Sequence, residues 1–164
     1  MGSNIPKAIY SNQSNFLIRG DGMKVSEIMT KSPVTLGPSA TARDAAEIMK
    51  KENLGTVLVA EKEHLEGIVT DRQISTKVVA EGKDPARIKV SEFMTKNPVT
   101  ASPDMTVEDA ARIIGKNRFR RVPVVQGERL MGVVSAADIA DHARSCNVCM
   151  NNLFDELSKS KAQR

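Results

Sequence analysis

Residues 24–35 read KVSEIMTKSPVT and residues 89–100 read KVSEFMTKNPVT, so the chain repeats itself at an offset of 65. The register holds without a gap from Lys24/Lys89 through Ile74/Ile139, and 24 of the 52 positions from 24 to 75 are identical to their counterparts. The matched pairs include Asp44/Asp109, Ala45/Ala110, Val57/Val122, Gly67/Gly132 and Val69/Val134. A chain of 164 residues is therefore two copies of one unit plus tails, and whatever fold one copy takes the other takes too. A unit of this size buries too little surface to be secure alone, so the copies are expected to pack together about a pseudo-twofold axis.

Within a copy, Val25 to Met29 suggests a short helical turn, and Pro33-Val34-Thr35-Leu36 an extended stretch, because proline fixes its own φ and biases its predecessor away from helix. Thr41 is a candidate N-cap, followed by Ala42, Ala45, Ala46, Ile48 and Met49 at helical spacing up to about Lys51. Thr56 to Ala60 and Leu65 to Val69 are short and rich in β-branched residues, and the charged Glu61-Lys62-Glu63-His64 between them reads as a hairpin turn. Asp71 to Val79 then reads as a helix stopped by Gly82. The expected fold class is α+β, strand-helix-strand-strand-helix twice over. Residues 23–83 and 84–145 form the two units, with a linker near Glu81-Gly82-Lys83-Asp84-Pro85.

Four Phe, one Tyr and no Trp leave the core to Val, Ile, Leu, Met and Ala, and argue against nucleic-acid modes that stack bases on several aromatics. No helix-turn-helix, zinc-finger or RNA-recognition signature is present. No apolar run reaches the length of a membrane span, and the start lacks a signal-peptide stretch, so a cytoplasmic protein is expected. The net charge of +4 comes from 24 basic and 20 acidic residues, mostly interleaved; only Lys116-Asn117-Arg118-Phe119-Arg120-Arg121 concentrates positive charge inside the repeat. That run suits either an anion contact or a solvated helix end. His142, Cys146 and Cys149 could supply three ligands to zinc or an iron–sulfur cluster, but a second Cys-x-x-Cys is missing, and free thiols in a reducing compartment are the plainer reading.

The chemically informative segments are Gly67-Ile68-Val69-Thr70-Asp71-Arg72-Gln73-Ile74 and Gly132-Val133-Val134-Ser135-Ala136-Ala137-Asp138-Ile139. Each is an apolar strand ending in a hydroxyl residue at a helix start. Ser135 and Asp138 have the spacing of an N-cap and its third-position acid, which explains both without a ligand. A helix N-terminus with a hydroxyl also attracts phosphate, and a nearby carboxylate can accept hydrogen bonds from a ribose diol. From pattern alone the cap is the simpler account.

The two segments, together with the MT-x-x-PVT openings at the same offset, resemble a tandem pair of cystathionine β-synthase (CBS) domains over roughly residues 24–143. The resemblance implies a stand-alone regulatory module rather than an enzyme, with clefts between the copies that bind an adenine nucleotide (AMP, ADP or ATP) or an adenosyl compound such as S-adenosylmethionine. It implies a response by change of shape or association, an expected homodimer, and an unidentified regulated protein; no catalytic residue or catalytic cofactor is expected. By the same resemblance Asp138 is the ribose carboxylate, Ser135 beside Ala137 the phosphate or ribose hydroxyl, and Arg120 and Arg121 the phosphate contacts. Thr30, Val34, Leu54, Gly55 and Thr56 of the first copy complete that cleft, with aliphatic side chains about the adenine.

The first copy departs from the pattern. Gln73 stands where the signature wants Asp or Asn, and Gly55 where the second copy has Arg120. The second cleft, with Thr95, Val99, Thr70 and Gln73, is therefore expected to be the weaker one. The alternatives are a metal- or redox-responsive protein using His142, Cys146 and Cys149, and a structural adaptor with vestigial clefts. Residues 1–22 lie outside the repeat and need not be native, since Met23-Lys24-Val25 makes a natural start. In the tail 146–164, Leu153, Phe154 and Leu157 form one helical stripe expected to pack on the module or on a dimer partner.

Overall fold

Two four-residue helices, α1 (Val25–Ile28) and α4 (Val90–Phe93), open the two copies, and neither is long enough to persist in water by itself. What holds them is visible in a computed structural model of the chain, which describes residues 22–143. Val25 and Ile28 are buried with Val107, Ala110, Ala111, Ile114, Val122, Val124, Val134 and Ile139, all from the second copy. Reciprocally, Val90 and Phe93 are buried with Leu36, Ala42, Ala45, Met49, Val57, Val59, Val69 and Val78 of the first. Each copy thus inserts its opening turn into the core of the other, and each inserted apolar side chain contributes about 1.5–3 kcal/mol of burial.

Backbone pairing repeats the exchange. Val25 N–H donates to the Met105 carbonyl at 2.8 Å and Val90 N–H to the Ala40 carbonyl at 2.8 Å, the same bond displaced by one repeat. The short strands β1 (Thr30–Lys31), β2 (Thr35–Leu36) and β5 (Thr95–Lys96) flank the hairpins β3 (Thr56–Glu61) with β4 (His64–Thr70) and β6 (Arg121–Gln126) with β7 (Arg129–Ser135). β1 pairs antiparallel with β7, and β5 with β4, so each opening strand also lies on the other copy's hairpin; β2 runs parallel to β3. At the hairpin tips His64 pairs with Arg129, and the Arg129 guanidinium meets Glu63 at 3.0 Å. The expected α+β pair of strand-helix-strand-strand-helix repeats is present, with α2 (Ala42–Lys51), α3 (Asp71–Ile74), α5 (Val107–Asn117) and α6 (Ala136–Ala143) as the remaining helices.

The close approach of the opening strands explains two glycines. A Cβ on Gly132 would stand 2.6 Å from the Thr30 carbonyl oxygen, and one on Gly67 2.8 Å from that of Thr95. The thioethers of Met29 and Met94 lie against the same two glycines, in the interface between copies.

Details depart from the sequence reading. Ala46 is exposed, since α2 turns Ala42, Ala45 and Met49 inward. The hairpin turn narrows to Lys62 and Glu63, both at positive φ (48° and 67°), while Glu61 and His64 join the strands. The helix expected over 71–79 changes character after Ile74 and continues as a π-helical segment, Ser75–Val79. Within this segment the Thr76 hydroxyl donates to the Arg72 carbonyl at 2.8 Å, and the Ala80 N–H reaches the Ser75 carbonyl five residues back at 2.9 Å. Gly82, at φ 65°, ends it as expected.

Thr41 does cap α2: its hydroxyl accepts from the Asp44 N–H at 3.2 Å, and Asp44 accepts from the Thr41 N–H at 2.8 Å. The backbone hydrogen bond from Thr41, then its hydroxyl, hold the Asp44 carboxyl below its ordinary value. A lowered native pKa means that this contribution is complete above the ordinary aspartate pKa and is lost as pH falls through the lowered one. Urea unfolding midpoints of the protein and of Asp44→Asn should therefore differ near neutrality and converge in acid below that range. A gap that persists unchanged to the acid limit would contradict the assignment.

Candidate functional site

Strand alternation decides which side chains meet between the copies. Thr30, Ser32 and Val34 alternate along the first copy's opening, Thr56 and Leu58 along β3 with Leu54 just before it, and Val133 and Ser135 along β7. All of them, with Pro33, Arg121, Ala137 and Asp138, line one cleft of about 340 Å³. That volume is in the range of small-molecule sites. Arg121 pairs with Ser135 across the β6–β7 ladder, so its side chain emerges beside the α6 N-terminus.

The polar end is built around Ser135. Asp138 Oδ2 accepts from the Ser135 N–H at 2.8 Å and from its hydroxyl at 2.7 Å, while Ser135 Oγ accepts from the Asp138 N–H at 3.1 Å. The capping arrangement read from the sequence is therefore present. It uses one oxygen of Asp138; the other has no hydrogen-bond partner among the described residues, nor has the Thr30 hydroxyl. Arg121 is half-buried, and no carboxylate among the described residues lies within salt-bridge distance of it. Pro33, Val34, Leu54, Leu58 and Val133 supply apolar lining. A cation, a carboxylate oxygen and a helix N-terminus in a cleft with aliphatic lining suit a molecule with an anionic part, hydroxyls and a flat apolar ring.

Of the residues assigned to this cleft from the sequence, Thr30, Val34, Leu54, Thr56, Arg121, Ser135, Ala137 and Asp138 line it; Gly55 and Arg120 do not. Gly55 is one step out of phase with Leu54 and Thr56 and lies against the Asp71 carboxylate, where a Cβ would stand 3.1 Å from Oδ2. Arg120 is exposed and serves through its backbone, its carbonyl accepting from the Ala136 N–H at 3.0 Å. Ser32, Pro33, Leu58 and Val133 were not assigned; period-two alternation from Thr30, Thr56 and Ser135 is the signal that finds three of them, and Pro33 follows from its neighbours.

The mirror site is arranged differently. Gln73 takes the capping position, its Oε1 accepting from the Thr70 N–H at 2.9 Å, and its Nε2 donates to Thr95 Oγ1 at 2.9 Å. Val99 is exposed there. His142 Nδ1 lies 3.2 Å from the Asp138 carbonyl, and no group of His, Cys, Asp and Glu able to hold a metal occurs among the described residues. Cys146 and Cys149, the stripe Leu153, Phe154 and Leu157, and the segment 1–21 lie outside the described residues. Among the described residues no helix is long and apolar enough to cross a membrane.

The family model for the CBS domain matches twice, over residues 25–80 and 90–145. CBS domain-containing protein YhcV of Bacillus subtilis (strain 168) is 36% identical over 116 residues, covering 71% of this chain and 82% of that protein. The crystal structure of Hypoxic Response Protein I with two coordinated zinc ions aligns at a TM-score of 0.68 and 28% identity, covering 73% of this chain and 98% of that one. CBSX2 in complex with AMP aligns at 0.67 and 24% identity, over 77% and 99%, a likeness of fold. CBS-domain proteins are generally regulatory or signalling rather than catalytic. With both repeats matched and the two halves packed as one pair, this chain belongs to the CBS-domain family.

Proposed function

We propose that the chain is a sensor that binds an adenine nucleotide in the cleft between Thr30 and Asp138 and answers by changing shape or association. The observation that carries it is Arg121: a half-buried guanidinium without a carboxylate partner among the described residues, facing the same cleft as a carboxylate whose second oxygen has no partner among them either. An anion compensates the first and a ribose diol occupies the second. The aliphatic walls then hold the ring from both sides, so the scarcity of aromatics is no obstacle. That a protein of the same fold was solved in complex with AMP agrees with this size and shape of ligand.

Titration calorimetry with AMP, ADP and ATP tests the reading. Asp138→Ala should weaken binding about tenfold or more, the ordinary worth of hydrogen bonds to a charged group. Arg121→Ala should weaken it too, and the loss should shrink as salt rises. Unchanged affinity in Asp138→Ala would overturn the assignment. Sedimentation with and without the nucleotide that binds then reads the response.

A further inference from the structure

The helix start of the first repeat makes side-chain bonds that its counterpart in the second repeat does not make. Residues Asp71, Arg72 and Gln73 correspond to Ala136, Ala137 and Asp138 at the offset of 65. The Asp71 carboxylate accepts from the Arg72 N–H at 2.6 Å, so an acidic group already sits on the helix N-terminal donor whose counterpart is the Ala137 N–H. Gln73 replaces the acid of the signature by a group that both accepts and donates. Its oxygen keeps the cap on Thr70, and its amide reaches across the cleft to Thr95 Oγ1 at 2.9 Å and to the Phe93 carbonyl at 3.4 Å. Lys77 adds a second strap to that carbonyl at 3.1 Å. Thr95 is the counterpart of Thr30, whose hydroxyl makes no such bond. A carboxylate in Gln73's place could not donate at all.

We propose that Gln73 is an internal surrogate for ligand: it ties β5 to the helix where a ligand would bridge them, and the chain binds one nucleotide rather than two. The stoichiometry rests on the reading of the open cleft given above, while the tie itself does not. The double variant Asp71→Ala, Gln73→Asp gives these two positions the second repeat's residues and keeps an acceptor for the Thr70 cap, as Asp138 does for Ser135.

Two measurements decide it. Hydrogen exchange without ligand should show the Thr95–Lys96 segment and the Arg72 amide exchanging about tenfold faster in the double variant, with Thr30–Lys31 unchanged as internal reference. Calorimetry with AMP and with ATP should find one site per chain in the protein and a second, weaker one in the double variant, because the counterpart of Arg121 in the first repeat is Thr56. Adding Asp138→Ala to the double variant should return it to one site. Two equal sites in the unaltered protein, or unchanged exchange in the double variant, would overturn the proposal. If neither nucleotide binds any form, the sensor reading fails and exchange alone decides the tie.

Discussion

Ile139→Ala is expected to lower the free energy of unfolding by about 2–5 kcal/mol, the range for deleting a large aliphatic from a closed core. Ile139 is wholly buried, in the cluster that receives Val25 and Ile28 from the first copy. Little can collapse into the gap, because strand residues Val122, Val124 and Val134 form its wall and are held by the ladder. The same change should loosen the first turn of α6 and weaken nucleotide binding, since Asp138 is the preceding residue. Its counterpart Ile74 is only partly buried, so Ile74→Ala should cost clearly less. Chemical denaturation of the two variants checks this, and an equal or larger loss from Ile74→Ala would count against the burial argument.

Gly132→Ala should cost toward the upper part of the roughly 1–3 kcal/mol usual for overpacking. The new methyl meets a carbonyl oxygen at 2.6 Å and the Met29 sulfur at 3.0 Å. The thioether can turn aside, but the carbonyl belongs to Thr30 and is fixed by β1 pairing with β7. Relief must come from moving β1 away, and Thr30 lines the cleft, so affinity should fall along with stability. Gly67→Ala presses on Thr95 in the same way and should destabilise comparably while sparing affinity. If Gly132→Ala binds nucleotide as tightly as Gly67→Ala does, the cleft does not depend on β1.

The repeat made the architecture legible because 24 of 52 matched positions leave one register, and that register carries helix caps, hairpins and turns together. Ser135 and Asp138 were legible as a cap, which the structure contains; the cap leaves one carboxylate oxygen over, and that remainder is a matter of geometry. Arg120 and Arg121 are chemically alike in sequence, and only the ladder partner Ser135 tells which of them faces the cleft. From the sequence Gln73 reads as a loss, since it stands where the signature wants Asp or Asn. Its amide donor reaching Thr95 could not be inferred, because the contact joins residues 22 apart through the meeting of two copies. The π-helical turn was likewise hidden, since five residues of wider helix are too few to shift a hydrophobic period.

The reciprocal placement of α1 and α4 is the geometry of a domain-swapped dimer written into one chain. Either repeat excised at the linker would carry away a turn that belongs in its twin and keep a socket with nothing to fill it. The smallest autonomous folding unit is therefore the pair. Glu81–Pro85 tethers two halves that grip one another already, and a ligand seated where they meet stabilises the whole pair by mass action.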